Sequence, residues 1–142
     1  MRPRAIIWFE RLMAAMVIVG LIYFGLAWQG AVRWAVERGL DPTTYMVRKL
    51  LLTLGAYALI AVAVVFVSRC RSRIAAALLV LQFCYVLRAP AQLIIAGRFR
   101  EYPWVFSTQL ALEAVALTLL LAGGSRAWLN RATPSDLGET FS

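Results

Sequence analysis

Histidine is absent from this chain of 142 residues, and charged residues make up only 15% of it. Without an imidazole the chain cannot form a His-ligated haem, a histidine zinc site or a Ser-His-Asp triad. The two cysteines, Cys70 and Cys84, lack the Cys-x-x-Cys spacing of thiol-redox enzymes and are too far apart on one helix to form a disulfide bridge. These absences predict a protein that is not an enzyme and that uses no metal and no cofactor.

Apolar residues dominate instead. They make up 62% of the chain, whereas an ordinary soluble domain has about 45 to 50%. At about 20 apolar residues per crossing, a chain of this length holds at most four or five membrane spans. The net charge is +8, but the basic residues lie between the apolar runs rather than on one soluble face. The composition therefore predicts an integral membrane protein that does not bind nucleic acid.

The apolar runs predict an all-α fold, an integral membrane four-helix bundle in a single domain. The predicted spans are about residues 12–32, 47–68, 74–97 and 103–123, followed by a polar tail at 125–142. Gly39 is a helix stop, and Asp41 followed by Pro42 is typical of an N-cap with proline at the first helical position. The first run also resembles a signal peptide, but no A-x-A-like cleavage site follows it, so we predict a retained helix.

An even number of spans places both termini on the same side of the membrane. The terminal side then carries eight basic residues: Arg2, Arg4, Arg11, Arg69, Arg71, Arg73, Arg126 and Arg131. The other side carries six: Arg33, Arg38, Arg48, Lys49, Arg98 and Arg100. The positive-inside rule predicts cytoplasmic termini from this difference, with dual topology as the alternative.

Two charged residues, Arg88 and Glu113, fall at bilayer depth, where an ionisable group is costly and indicates a functional site. If the third connection is centred between residues 100 and 101, facing residues have numbers that sum to 201. This register pairs Arg88 with Glu113 and Gln92 with Gln109. The sequence therefore predicts a polar ladder of two rungs between the third and fourth spans.

Gln82 and Tyr85 lie close to the same stripe of the third span, so the candidate binding set has six members. They are Gln82, Tyr85, Arg88, Gln92, Gln109 and Glu113. One interpretation is structural, because polar pairs fix the register of membrane helices. A second is a cavity that binds an anionic head group, a quinone or an ion, or in which Glu113 carries a proton. A third is contact with a partner subunit.

Smaller features have simpler interpretations. Gly20 and Gly25 in the first span suit close contact between helices in the bundle. Arg69, Arg71 and Arg73 form a basic connection that sets topology or binds anionic lipid.

Two short segments carry a family resemblance: residues 4–12 (RAIIWFERL), which lead into the first span, and residues 125–129 (SRAWL), which follow the last. With them the chain resembles small four-helix inner-membrane proteins of unknown function in proteobacteria, and in topology it is similar to DoxX-like proteins. The preference for arginine over lysine is typical of GC-rich bacterial genomes. The resemblance implies a bundle in a bacterial inner membrane and transfers no activity.

Two functions follow as predictions. The first is a non-enzymatic accessory or scaffold subunit of a larger membrane complex, in contact with membrane lipids. The alternative is a small oligomeric binder or transporter of a lipid-like molecule, quinone or ion that uses Arg88 and Glu113. A cavity that reaches these residues would favour the alternative, whereas a bundle filled to its axis would exclude transport by one chain.

Overall fold

A computed structural model describes residues 3–98 and 103–122, together with residues 125, 127, 129 and 130. This part of the chain is all-α and contains no strand, which confirms the predicted fold class. Its helices are α1 (Arg4–Leu26), α2 (Trp28–Glu37), α3 (Pro42–Cys70), α4 (Arg73–Val86), α5 (Arg88–Ile95) and α6 (Trp104–Leu121). Four segments are long and apolar enough to span a membrane, namely Arg4–Leu26, Pro42–Cys70, Arg73–Ile95 and Trp104–Leu121. Most of the predicted tail at 125–142 lies outside the described residues.

The connection between α2 and α3 follows its local sequence signals. Gly39 has a φ of +68°, a left-handed conformation that glycine adopts without steric cost. This allows the N–H of Leu40 to donate to the carbonyl of Ala35 at 3.0 Å. Asp41 then caps α3, because its carboxylate accepts a hydrogen bond from the N–H of Thr44 at 2.8 Å, and Pro42 is the first helical residue. The predicted helix stop and start are both confirmed.

The connection between α3 and α4 is short. Arg71 takes a left-handed conformation with a φ of 54°. The hydroxyl of Ser72 accepts a hydrogen bond from the N–H of Ala75 at 3.1 Å and caps α4. Two helices joined in this way pack side by side as an antiparallel pair. Cys70 and Cys84 are both free and exposed.

Two of the predicted spans differ from the helices of the structure. The first begins at Arg4 rather than at residue 12 and is interrupted at Ala27, between α1 and α2. The third is interrupted at Leu87, between α4 and α5. Pro90 explains this second interruption, because proline has no N–H to donate to the carbonyl of Val86.

The core is centred on the contact between α1 and α6, the most extensive helix pair in the described chain. One face of α1 is buried in it through Ile6, Phe9, Met13 and Met16, whose spacing of three or four residues keeps them on one side of the helix. The other helices contribute Ile60 and Val67 from α3, Ala75 and Leu79 from α4, and Ala116, Leu117 and Leu120 from α6. The α3–α4 pair therefore packs against the α1–α6 pair.

Candidate functional site

The buried face of α6 carries two polar side chains, Gln109 and Glu113. Only 8% of Gln109 and 3% of Glu113 is exposed. They are four residues apart and therefore lie on one face of the helix. Glu113 is nine residues beyond the start of α6 at Trp104, or about 14 Å along the helix axis at 1.5 Å per residue. The carboxyl group thus lies near the middle of a membrane span.

Gln109 links three helices. Its side-chain amide donates to the backbone carbonyl of Met16 in α1 at 3.2 Å and to the hydroxyl of Tyr57 in α3 at 3.0 Å. An amide that donates both of its protons to groups on other helices is held in one orientation. Gln109 therefore fixes the position of α6 relative to α1 and α3 at the level of the site.

Gly20 makes this approach possible. A Cβ atom at Gly20 would overlap with the hydroxyl of Tyr57 and the amide nitrogen of Gln109. The same atom built at Gly25 would meet nothing within 4 Å in the described structure. Of the two glycines predicted to serve close helix contact, Gly20 does so, and Gly25 does not within the described residues.

The carboxyl group of Glu113 is less well satisfied. Its neighbour is the side chain of Gln82 in α4, which lies close enough to interact with it. The Oε1 atoms of Glu113 and Gln82 are both buried and have no hydrogen-bond partner in the described part of the chain. An unsatisfied buried polar atom typically costs about 1 to 3 kcal/mol. Two such acceptors beside each other form a site that favours a hydrogen-bond donor or a cation.

Gln82 and Glu113 line a cleft of about 370 Å³ between α3, α4 and α6, a volume typical of small-molecule sites. Its polar lining is Thr53, Tyr57, Gln82, Gln109 and Glu113, and the rest is apolar. At the rim lies Leu52, which is 64% exposed on the outer surface of α3. A lipid-facing helix therefore borders the cleft.

An apolar groove of about 770 Å³ continues from the cleft along the α3–α4 pair. Ala56, Ile60, Gln82 and Val86 line both. The groove has an almost wholly apolar lining and extends along α3 as far as Phe66. Cleft and groove together have a polar end at Glu113 and a long apolar end.

Three of the six predicted site residues, Gln82, Gln109 and Glu113, lie in the cleft. Tyr85 lines the adjacent groove and is 74% exposed. Arg88 and Gln92 are exposed and do not line the cleft.

The predicted ladder is not formed. Arg88 is exposed, the Oε1 atom of Glu113 has no partner among the described residues, and the amide of Gln109 bonds to Met16 and Tyr57 rather than to Gln92. The prediction assumed two continuous helices placed symmetrically about their connection. In the structure α6 contacts α4 more than α5. Gln82, six residues before Arg88, therefore takes the place beside Glu113.

Sequence reasoning missed the contribution of α3. Tyr57 lies within an apolar run and bears a hydroxyl group, which usually finds a hydrogen-bond partner when it is buried in a protein. That signal marks Tyr57 as a polar contact inside the membrane but does not identify its partner. No group of three or more Cys, Asp or Glu side chains suited to a metal ion occurs among the described residues. The chemistry of the cleft is therefore that of one carboxyl group supported by amides and a phenol.

Comparison of the chain with protein-family models, with curated proteins and with solved structures finds no match.

Proposed function

We propose that this chain is a small non-enzymatic membrane protein that binds a lipid-like ligand in the cleft between α3, α4 and α6. The observation that carries the proposal is the buried carboxyl group of Glu113, a residue that lines the cleft and whose Oε1 atom has no hydrogen-bond partner among the described residues. A ligand that donates a hydrogen bond there would offset the cost of burying this oxygen. The sequence analysis named a cavity that reaches Arg88 and Glu113 as support for the binding alternative, and the open cleft reaches Glu113 but not Arg88.

The chemistry of the ligand follows from the two ends of the site. The unpaired oxygens of Glu113 and Gln82 suit an ammonium, a hydroxyl or a quinol head that donates hydrogen bonds. The apolar α3–α4 groove suits a hydrocarbon chain. An anionic head group is disfavoured, because Arg88 is outside the cleft and no other basic side chain of the described residues lines it. The ligand class is therefore an amphiphile with a donor head.

The proposal also includes the membrane in which the protein lies and the orientation of its termini. The Arg-rich composition and the DoxX-like resemblance support a bacterial inner membrane, and the excess of basic residues on the terminal side supports cytoplasmic termini. Reporter fusions at Arg71 and at the C-terminus should agree and should oppose a fusion at Arg38. An equal mixture of both signals at each site would replace a single orientation by dual topology.

A second candidate is the accessory or scaffold subunit. It is supported by α3, of whose 29 residues only Met46, Ile60, Val67 and Ser68 are buried. Such a face suits a helix of a partner protein as well as lipid. If this function holds, purification from native membranes at endogenous level yields a stoichiometric complex with cross-links to α3, and Glu113 variants leave that complex intact.

The ligand proposal is tested with an alkylamine that carries a fluorophore at the end of its chain, titrated into the detergent-solubilised protein. Removing a charge-assisted hydrogen bond typically costs about 1.5 to 3 kcal/mol, so we expect Glu113→Gln to weaken binding by about tenfold or more. The carboxylic acid of the same chain length should bind more weakly than the amine to the unaltered protein.

The matched control is Glu37→Gln, the same change at an exposed carboxylate outside the cleft. It should bind the amine with unchanged affinity. Equal affinity of the Glu113→Gln variant and the unaltered protein for the amine would overturn the proposal. A preference for the acid over the amine would also overturn it.

A further inference from the structure

We propose that a second pocket, at the α2–α3 end of the molecule, binds the phosphate head group of an anionic phospholipid. The pocket has a volume of about 520 Å³ and lies beside the interruption of the helix at Ala27. Its long side chains are those of Gln29, Arg33, Trp34, Tyr45 and Lys49. It shares no lining residue with the Glu113 cleft. The inference is therefore independent of the proposed function.

Aromatic rings form one wall of this pocket. The ring centroids of Trp34 in α2 and Tyr45 in α3 are 5.4 Å apart, with an angle of 32° between the planes. The guanidinium of Arg38 lies over Trp34 at 4.4 Å, and the ammonium of Lys49 is 5.8 Å from the centre of Tyr45. Cation–π contacts of this kind orient basic groups without neutralising their charge. The aromatic wall thus positions Lys49 beside the pocket with its charge available.

The charges of the pocket suit an anion. Arg33 and Lys49 line it together with the amide of Gln29. Among the described residues, Arg38 and Lys49 lie over the aromatic rings of Trp34 and Tyr45. At the same end, Asp41 uses its carboxylate to cap α3 through the N–H of Thr44. Arginine, lysine and amide donors are the groups that proteins use to bind phosphate oxygens.

The location favours a lipid over free phosphate. The pocket begins at Leu26, the last residue of the first candidate membrane span, which is 78% exposed. Small apolar residues, Ala27, Gly30 and Ala31, line it beside the charges. Tryptophan and tyrosine are typical of the membrane interface, where lipid head groups lie. A phosphate joined to glycerol and acyl chains matches both the basic and the apolar surface.

Native mass spectrometry of the detergent-solubilised protein tests the proposal by titration with phosphatidylglycerol and, separately, phosphatidylcholine. Each basic residue near an anionic lipid contributes about fivefold in affinity. We expect Arg33→Gln with Lys49→Gln to weaken the first phosphatidylglycerol adduct by about tenfold or more. The single variant Arg33→Gln changes an exposed residue and should weaken the first phosphatidylglycerol adduct by about fivefold. It replaces the double variant in the test if that variant does not fold.

The matched control removes the same charge at the opposite end of α1, by Arg4→Gln with Arg11→Gln, both exposed and outside the pocket. This control should bind phosphatidylglycerol as the unaltered protein does. An equal loss in both double variants would show attraction by net charge alone and overturn the pocket. Equal binding of the two lipids by the unaltered protein would overturn it as well. Stoichiometric displacement of phosphatidylglycerol by inorganic phosphate would overturn the assignment to a lipid.

Discussion

At the scale of single residues, Gln109 determines the geometry of the site. Its amide reaches the carbonyl of Met16 and the hydroxyl of Tyr57, and both contacts require the absence of a side chain at Gly20. Hydrogen bonds between helices in a membrane typically contribute about 0.6 to 2 kcal/mol each. The stability of this region therefore depends on the close approach of α3 and α6 to α1 at Gly20 as much as on the hydrogen bonds themselves.

Gly20→Ala tests this close approach. The added methyl group would displace Tyr57 or Gln109, and overpacking typically costs about 1 to 3 kcal/mol. We expect a lower melting temperature in detergent. Gly25→Ala is the matched control, because its methyl group meets no described residue within 4 Å and alanine favours helix by up to about 1 kcal/mol. Equal melting temperatures of the two variants would show that the Gly20 contact is absent.

The absence of an Arg88–Glu113 pair gives a second prediction. Removal of one member of a buried ion pair typically lowers the free energy of unfolding by about 3 to 5 kcal/mol. Arg88 is exposed, so its removal should not have this effect. We expect Arg88→Leu to leave the melting temperature unchanged. In a double-mutant cycle with Glu113→Leu, the two effects should add to within about 0.5 kcal/mol. A single variant that is strongly destabilised and then rescued in the double variant would establish the pair after all.

At the scale of helices, the sequence predicts boundaries better than it predicts register. Gly39, Asp41 and Pro42 act within a few residues of themselves, so the end of α2 and the start of α3 follow from local chemistry. The neighbour of Glu113 depends on how two helices pack along their whole length. No local signal in the sequence shows which residue of α4 faces α6. The depth of Glu113 in the membrane was therefore predictable from the sequence, whereas the residue that lies beside it was not.

The cap of α3 gives a prediction about pH. The hydrogen bond from Thr44 holds the pKa of Asp41 below its ordinary value of 3.8. A carboxyl group whose pKa is lower in the folded state contributes stability that is complete above the unfolded pKa and is lost as the pH falls through the folded one. Asp41→Asn should therefore melt below the unaltered protein near neutral pH, and the difference should vanish as the pH falls well below 3.8.

The control for this pH series is Glu37→Gln, which changes an exposed carboxylate that does not cap α3. Its melting temperature should follow that of the unaltered protein across the same range. A difference between Asp41→Asn and the unaltered protein that stays constant with pH would contradict a role for the ionised cap.

At the scale of the whole molecule, two helix pairs of different character enclose the site. The α1–α6 pair supplies most of the core, while α3 has most of its surface exposed. The cleft lies where these pairs meet, with Glu113 at its polar end and the α3–α4 groove at its apolar end. Composition and hydropathy were enough to predict a four-span bundle. The cleft could not be predicted in this way, because it depends on incomplete packing between helices that are distant in sequence.

The central claim is that the carboxyl group of Glu113 lies at bilayer depth and opens to a ligand cleft. Labelling in native membranes with apolar dicyclohexylcarbodiimide, and in parallel with a water-soluble carbodiimide, tests it most directly when mass spectrometry locates each adduct. We expect the apolar reagent to modify Glu113 and the water-soluble reagent to modify the exposed Glu37 instead. N,N-dimethyldodecylamine, a tertiary amine that cannot form an amide with the activated carboxyl group, should slow the modification of Glu113. An unmodified Glu113, or a rate that this amine leaves unchanged, would contradict the claim.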